Sequence, residues 1–453
     1  MTSLFDKEEF KRYAPLWQQR QKELRRRAAY YDGSVYKSVR QGLDALGNLG
    51  PALGTRLYRG TKALFLPLNR AVNVDAGIIP GDWKLPEDQQ SRYQAAIDRL
   101  MAWSDWDVDG VLYVHYGAQY GITGLKISDL RDARRVVIKP VDPTSYLLAG
   151  ATLYNPIPQI AIFVEDRLND QGERYEYGEV ITPDFIRTFS DGEPQGFDER
   201  PEEYPNALGF VPFVEQKHIE NGQQLGECTY QQAIPLLNEV NELSSYLADI
   251  IKKHADPQWG VIGAEAGDMV KSSDNIWFLP PGSDAKAFVA AIDVAGILSF
   301  VQEIRDQVMG ALPELAFDEL KQKTQIATAT LELQLMELVL KVKRTRPNYD
   351  HGLADALRLA GRAASTMNLT DIAILDDEGL MFDKERPVLP LDRFTELEIE
   401  QLELSVEQQR RIGQPGEGSG VIAMDGDAGQ ERERPRPLHM TGEDPSSPEV
   451  SNA

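Results

Sequence analysis

The feature that most constrains this chain lies between Tyr230 and about Ser365, where two striped helices flank a short β-rich insert. In TYQQAIPLLNEVNELSSYLADIIKKH, the residues Leu236, Val240, Leu243, Leu247 and Ile250 recur at alternating steps of four and three. That spacing gathers them on one face of a helix. Asp256-Pro257 ends the helix, because the residue before a proline is pushed out of the α region. A second helix is predicted from about Asp293 to Leu312, with Val294, Ile297, Val301, Ile304 and Val308 as its stripe and Pro313 as its stop. Between the two lie the strand-like WGVI at 259–262 and NIWFL at 275–279. A polar loop, PELAFDELKQKTQIA, then leads into a long helical segment. Two such stripes can pack on each other as an antiparallel pair, which leaves outer faces over. Periodicity alone fits both a hairpin in an ordinary α-rich domain and a packed ring of hairpins.

The charge distribution narrows the function. The chain has 453 residues, 42% hydrophobic and 26% charged, so most of it is expected to fold, as several domains. Its net charge is −23, but the first 70 residues hold 14 Lys/Arg against 6 Asp/Glu, a net +8, and the rest carries −31. An acidic body is a poor clamp for duplex DNA, since tight binders neutralise phosphates with Lys and Arg. It suits solubility, or a surface along which a polyanion must not stick. Cys228 is the only cysteine, so no disulfide forms within the chain. No apolar run is long enough for a membrane span, and the start MTSLFDKEEFKRY lacks the apolar core of a signal peptide.

In chain order, residues 5–31 read as a helix with Asp6, Glu8 and Glu9 early and Arg25, Arg26 and Arg27 late, which complements the helix dipole. They form either a basic arm for an acidic neighbour or a solvated face. Gly42 to Gly60 is glycine-rich, and a short helix is expected over 88–104. From about 108 to 217 the pattern changes to short β-rich runs: VLYVHYG, GLKIS, RVVIKPV, SYLL, QIAIFVED, RYEYGEVI, FIRTF and FVPFVEQKH. Turn residues separate them, so an α+β domain on a mostly antiparallel sheet is predicted. Strand character returns in IAIL and GLMF within 370–392, an acidic helix follows to about Ile412, and 413–453 has a disordered composition.

Motif searches exclude several chemistries. There is no G-x-x-x-x-G-K-[ST], no H-E-x-x-H and no G-x-S-x-G. Five scattered histidines and one cysteine argue against zinc, and neither a metal nor a cofactor is expected. DWDVDG at 105–110 mimics the start of a calcium loop, but its twelfth position is Tyr116, where a bidentate Glu is required. The simpler reading is a turn before a strand, with Trp103 and Trp106 packed beneath it.

At this point the residues carry a resemblance. Basic N-terminal helices, an α+β domain, helix, small β element, helix, loop, long helix and acidic helix follow one another as in the portal protein family of tailed bacteriophages. VDPTSYLL (141–148) is similar to the strand-turn after that family's central sheet. The stretch 210–258, with Pro212, Gly226 and Asn241, resembles the passage from sheet to stem, and 311–346 resembles the tunnel loop and the helix after it. The likeness covers roughly 60–410 and is one of order and texture; the β insert is short for the family.

The resemblance implies an α+β, α-rich, portal-like fold. Its parts would be a wing with an antiparallel sheet at 1–229, stem helices at 230–256 and 290–312, and a β clip at 257–289. A tunnel loop would follow at 313–327, then a long kinked helix returning to the wing at 328–389, a crown helix at 390–412 and an acidic tail at 413–453. It also implies a non-enzymatic ring of twelve copies at one capsid vertex, assembled in the host cytoplasm, through which double-stranded DNA is packaged, retained and ejected. The implied partners are the terminase large subunit, the major capsid or scaffolding protein and a head–tail adaptor, with no membrane. Lys321, Gln322, Lys323, Thr324 and Gln325 would face the DNA, and Glu303 and Asp306 would keep the channel wall repulsive. Trp259, Val261, Ile276, Trp277 and Phe278 are too apolar for an isolated ribbon and would form the clip interface. The alternatives are a scaffold protein without a channel and a metal-dependent nuclease drawing on the many carboxylates.

Overall fold

The computed structural model describes residues 3–36, 65–81, 83–151, 157–169, 171–197, 200–255, 258–262, 270–271, 277–278, 284–288, 294–316, 335–384 and 386–388. Two 3-10 turns, Ser3–Asp6 and Lys11–Tyr13, lead into α1 (Ala14–Tyr31). Then come α2 (Leu68–Ile78), α3 (Glu87–Ser104) and α4 (Trp106–Tyr120). Nine strands follow: β1 (Ile122–Leu130), β2 (Arg135–Val141), β3 (Tyr146–Ala149), β4 (Ile160–Leu168), β5 (Arg174–Ile181), β6 (Phe185–Ser190), β7 (Glu193–Pro194), β8 (Glu203–Pro205) and β9 (Phe213–Lys217). They form two sheets, not the one expected. The first has the order β2-β1-β9; the second runs β3-β4-β5-β6, with the short β7 and β8 both on β6. Every pairing is antiparallel. The fold is therefore a mixture of helices and antiparallel sheet.

The remaining chain is α5 (Ile234–Ala255), the short strands β10 (Gln258–Ile262), β11 (Val270–Lys271), β12 (Trp277–Phe278) and β13 (Asp284–Phe288), and α6 (Val294–Gly310). A 3-10 turn, Pro313–Ala316, precedes α7 (Met336–Thr366), which runs through Pro347, and α8 (Thr370–Ala373) ends the series.

Three strand expectations fail. VLYVHYG is not a strand but the middle of α4. Tyr113, Val114, Gly117 and Ala118 are buried while Val111 is exposed, which is helical rather than two-residue periodicity. IAIL likewise runs from the end of a short helix into a turn, with Ile372 and Leu375 buried three residues apart, and GLMF forms no strand. A short apolar run carries no period of its own, so burial in the folded chain decides. DWDVDG is the break between α3 and α4, not a turn before a strand. Asp105 takes a left-handed φ of 53° there, and Asp107 and Asp109 sit in the first turn of α4. Asp109 pairs with Lys139 at 2.8 Å, so this carboxylate already has a cation.

The main core lies where α3, α4 and α7 cover the first sheet, and includes Leu100, Tyr113, Leu125, Ile138, Tyr349 and Leu357. α4 and α7 meet through glycines. A Cβ on Gly117 would fall 1.9 Å from Tyr349 Oη, and one on Gly352 would fall 2.5 Å from Tyr113 Oη. The two tyrosines stack edge to face at 5.2 Å. Both are fully buried, so neither ring has room to retreat.

Further along α7, Arg346 donates to Ile78 O and Ile79 O at the end of α2 and to Arg386 O and Pro387 O, at 3.0–3.3 Å. Arg386 in turn grips both carboxylate oxygens of Asp350 at 2.6 Å. α1 is not a purely solvated basic face. Arg20 is buried and pairs with Glu215 at 2.8 Å, and Arg27 is buried and donates to Tyr120 O and Gly226 O; Arg25 and Arg26 are exposed.

Gly117→Ala is expected to lower stability by about 1–3 kcal/mol through overpacking against Tyr349. Thermal unfolding of the variant checks this, and Tyr349→Phe in the same background should recover part of the loss by removing the clashing hydroxyl.

Candidate functional site

The striped segments do form a hairpin: α6 returns against α5, joined by the β insert. Leu237 and Val240 of α5 meet Ile304 and Val308 of α6 in one apolar cluster, closed at the base by Ala71 and Val72 of α2, Tyr230, Leu312 and Leu315. Of the expected stripe, Val240 and Leu247 are buried and Leu236 and Leu243 half-buried. Leu237 and Asn241, one step further round, are buried as well, because α2 and Phe65 cover that side of α5. Asn241 Oδ1 accepts from Phe65 N at 2.8 Å. On α6, Ile304 and Val308 are buried, whereas Ile297 and Val301 are half-buried. Packing is thus tightest at the base and thins towards the insert.

The outer surface of α6 carries the expected acidic residues. Glu303 and Asp306 are both exposed. At about 100° per residue they lie away from the Ile304–Val308 stripe. Two large apolar residues are exposed on the same helix, Leu298 at 55% and Phe300 at 50%. The same angular count puts them on opposite flanks of the stripe.

In the insert, β10 pairs with β13, setting Trp259 opposite Ala287 and Val261 opposite Ala285. β11 pairs with β12, setting Val270 opposite Phe278 and Lys271 opposite Trp277. Four of the five clip residues therefore lie in short antiparallel ribbons made within one chain. Ile276 lies outside the described residues, as do Lys321, Gln322, Lys323, Thr324 and Gln325, and the assigned crown and tail from 389 onwards.

The described start of the segment expected to be a tunnel loop, 313–316, differs from the sequence reading. A polar segment after Pro313 reads as surface, yet Glu314 and Leu315 are 0% and 1% exposed. Glu314 Oε1 is ion-paired with Lys341 of α7, and Asp75 of α2, also 0% exposed, lies 3.5 Å from the same ammonium. Thr229 donates from Oγ1 to Asp75 Oδ2 at 2.5 Å, and Lys341 also reaches Thr229 O at 3.4 Å. His218 completes the cluster, with Nε2 3.1 Å from Thr229 Oγ1 and Nδ1 2.7 Å from Tyr349 Oη. The Thr229 proton is committed to Asp75, so Thr229 accepts from His218 Nε2–H, and Nδ1 accepts from Tyr349 O–H. A neutral imidazole satisfies that chain, and burial pushes the His218 pKa down to about 3. Burial, and then the neighbouring Asp75, pushes Glu314 up to about 8. Burial alone would lower Lys341, but Asp75 and Glu314 hold it above its ordinary value.

The sequence does contain a signal for this cluster, in the form of charges on apolar stripes. Asp75 sits in register with Leu68, Ala71 and Val72 on α2 and with Ile79 just after it, and Lys341 follows Leu338 and precedes Val342 on α7. Glu314 carries no such mark. Among the described residues, no group of three or more His, Cys, Asp or Glu is arranged to hold a metal ion, and no helix is long and apolar enough to cross a membrane.

Lys341→Met leaves two buried carboxylates without their cation. Breaking a buried pair in this way costs about 3–5 kcal/mol, so the variant should melt well below wild type at pH 7. A variant that melts with the wild type would mean that the ammonium is not needed to hold the cluster.

The sequence model of the family described as "Phage portal protein, SPP1 Gp6-like" matches residues 116–374, more than half of the chain. No curated protein matches the chain significantly. Solved structures that overlap it include the neck of an empty gene transfer agent (GTA) particle computed with C6 symmetry. That overlap has 13% identity and a TM-score of 0.40, covering 78% of this chain and 86% of that one. Another is the neck of a native GTA particle computed with C12 symmetry, at 13% identity and a TM-score of 0.35, covering 76% and 98%. No geometry is carried over from either. The matched span begins within α4, takes in both sheets, the hairpin and all of α7, and ends just beyond α8, so the chain belongs to the SPP1 Gp6-like family of phage portal proteins.

Proposed function

We propose that the chain assembles into a closed ring at one vertex of a phage capsid, twelve copies in the virion, and that the ring is the channel for double-stranded DNA. Portal proteins are structural rather than enzymatic, and the ring is read as a passive conduit served by a separate terminase motor. The observation that carries this reading is the pair of exposed apolar residues on opposite flanks of α6, Leu298 and Phe300. A head-to-tail ring needs two different seam surfaces on each copy, and a hairpin with one apolar residue on either side supplies them. The acidic outer face with Glu303 and Asp306 would then line the wall, where attraction to phosphates would act as friction.

On this reading 1–229 is the wing, α5 and α6 the stem, β10–β13 the clip, and 313–327 the tunnel loop. Lys321 to Gln325 come nearest the DNA there, with the lysines offsetting the acidic wall. The clip residues Trp259, Val261, Ile276, Trp277 and Phe278 pair further with a neighbouring copy. Their free end docks the terminase large subunit and then a head–tail adaptor, while the wing meets the major capsid or scaffolding protein. Assembly takes place in the host cytoplasm.

Leu298→Asp and Phe300→Asp should each abolish rings while leaving the monomer folded, because one bad flank stops head-to-tail addition. Particle mass and class-averaged electron micrographs read this; rings of unchanged mass in both variants would put the seam elsewhere, and a compact wild-type monomer or dimer would favour a scaffold without a channel. Replacing Lys321 and Lys323 by Gln should lower the DNA retained per particle without changing ring mass. A channel whose narrowest point lies at the clip or crown would remove the tunnel-loop assignment.

A further inference from the structure

We infer that the turn Pro313–Ala316 is held in place by a single exchangeable proton: Glu314 docks as a neutral acid beside Lys341 and Asp75, and losing that proton frees the turn from α2 and α7.

The first ground is a count of charges in a closed space. Asp75 and Glu314 are both fully buried and share one ammonium, that of Lys341. His218 does not supply a second cation, because its hydrogen-bond chain to Thr229 and Tyr349 is satisfied by the neutral ring. With Glu314 protonated the cluster is neutral; with Glu314 ionised it carries a net negative charge away from water, which is costly. The second ground is the donor supply. Asp75 Oδ1 and Glu314 Oε2 are buried without a hydrogen-bond partner. A buried oxygen left without a partner costs more on an ionised carboxylate than on a carboxylic acid, because the charged group forfeits more hydration.

The groups that face Glu314 come from each element around it. α2 brings Asp75, α7 brings Lys341 and the exposed Glu337, and the 218–229 segment brings His218 and Thr229. α6 brings Arg305 and Asp306, both exposed, with the Arg305 guanidinium over the Phe65 ring at 5.1 Å. Burial and Asp75 together set the titration near pH 8. Its sign follows from linkage: the docked turn holds a proton that the freed turn gives up. Docking is fully favoured below the ordinary carboxylate range and is lost as pH rises through about 8. In that step the O–H bond of Glu314 breaks, the proton passes to water or hydroxide, and the carboxylate recovers its hydration by leaving the pocket. Leu315, 1% exposed, leaves the apolar cluster with it.

The chain contains its own reporter. Cys228, the only cysteine, is 2% exposed, shares the apolar cluster with Leu315, and immediately precedes Thr229. The experiment follows the rate at which a disulfide reagent such as dithionitrobenzoate modifies Cys228 in the full chain, from pH 6.5 to 9.5. Wild type, Glu314→Gln and Asp75→Asn are compared at each pH, so that ionisation of the thiol itself cancels in the ratios. The ratio of wild type to Glu314→Gln should already exceed one at pH 6.5, rise about tenfold per pH unit up to about pH 8, and level off above it. Asp75→Asn should stay as flat as Glu314→Gln, because one carboxylate then faces one ammonium. A wild-type ratio that stays flat to pH 9.5 overturns the inference. So does a wild-type rise that persists in Asp75→Asn, and that second comparison stands alone should Glu314→Gln fail to fold.

Discussion

Tyr349 fills a space that exists only because residue 117 has no side chain. Its ring lies edge to face with Tyr113, and its hydroxyl reaches across α4 to His218. From there the bonds run through Thr229 to Asp75 and on to Lys341 and Glu314. The closeness of two helices thus fixes a polar chain that ends at the base of the hairpin. A looser α4–α7 contact would leave His218 Nδ1 without its donor, and such a buried orphan carries a cost of about 1–3 kcal/mol. Interior density here is what holds the polar chain from Tyr349 through His218 and Thr229 to Asp75 in line.

The two sets of charges in the molecule obey opposite rules. Those at the hairpin base are few and buried, two carboxylates sharing one ammonium, so removal of that cation is felt in full. Those on the outer face of α6 are exposed and individually weak, and act through their summed field. Glu314 and Glu303 stand only eleven positions apart in the sequence. They nonetheless belong to these two different regimes, and only the fold distinguishes them.

Much of the architecture was legible in the sequence, and the failures were physical rather than random. The hairpin could be read because its stripes are long, and Pro257 and Pro313 punctuate them. Strands such as QIAIFVED and RYEYGEVI could be read because β-branched and aromatic residues are bounded by turn residues. VLYVHYG could not, because a run of seven residues does not carry enough of a period to choose between helix and strand, and only the packing of Tyr113 against α7 makes the choice. On the hairpin, the exposure of Glu303 and Asp306 was legible from charge and position. Glu314 was not, since a glutamate after a proline in a polar stretch has every local mark of solvent exposure. Its burial depends on Asp75 and Lys341, which lie far from it in the sequence.

Arg346 ties the end of α2 and the backbone at Arg386 and Pro387 to one side of α7, a little over one helical turn from Lys341. One stiff rod thus carries two moorings, that of the turn after α6 and that of the strap at 386–388. Whatever follows Val388 departs from a pivot shared with the hairpin. A twist of α7 about its axis would move both attachment points together, as a crankshaft moves two rods, with no contact needed between the two segments themselves.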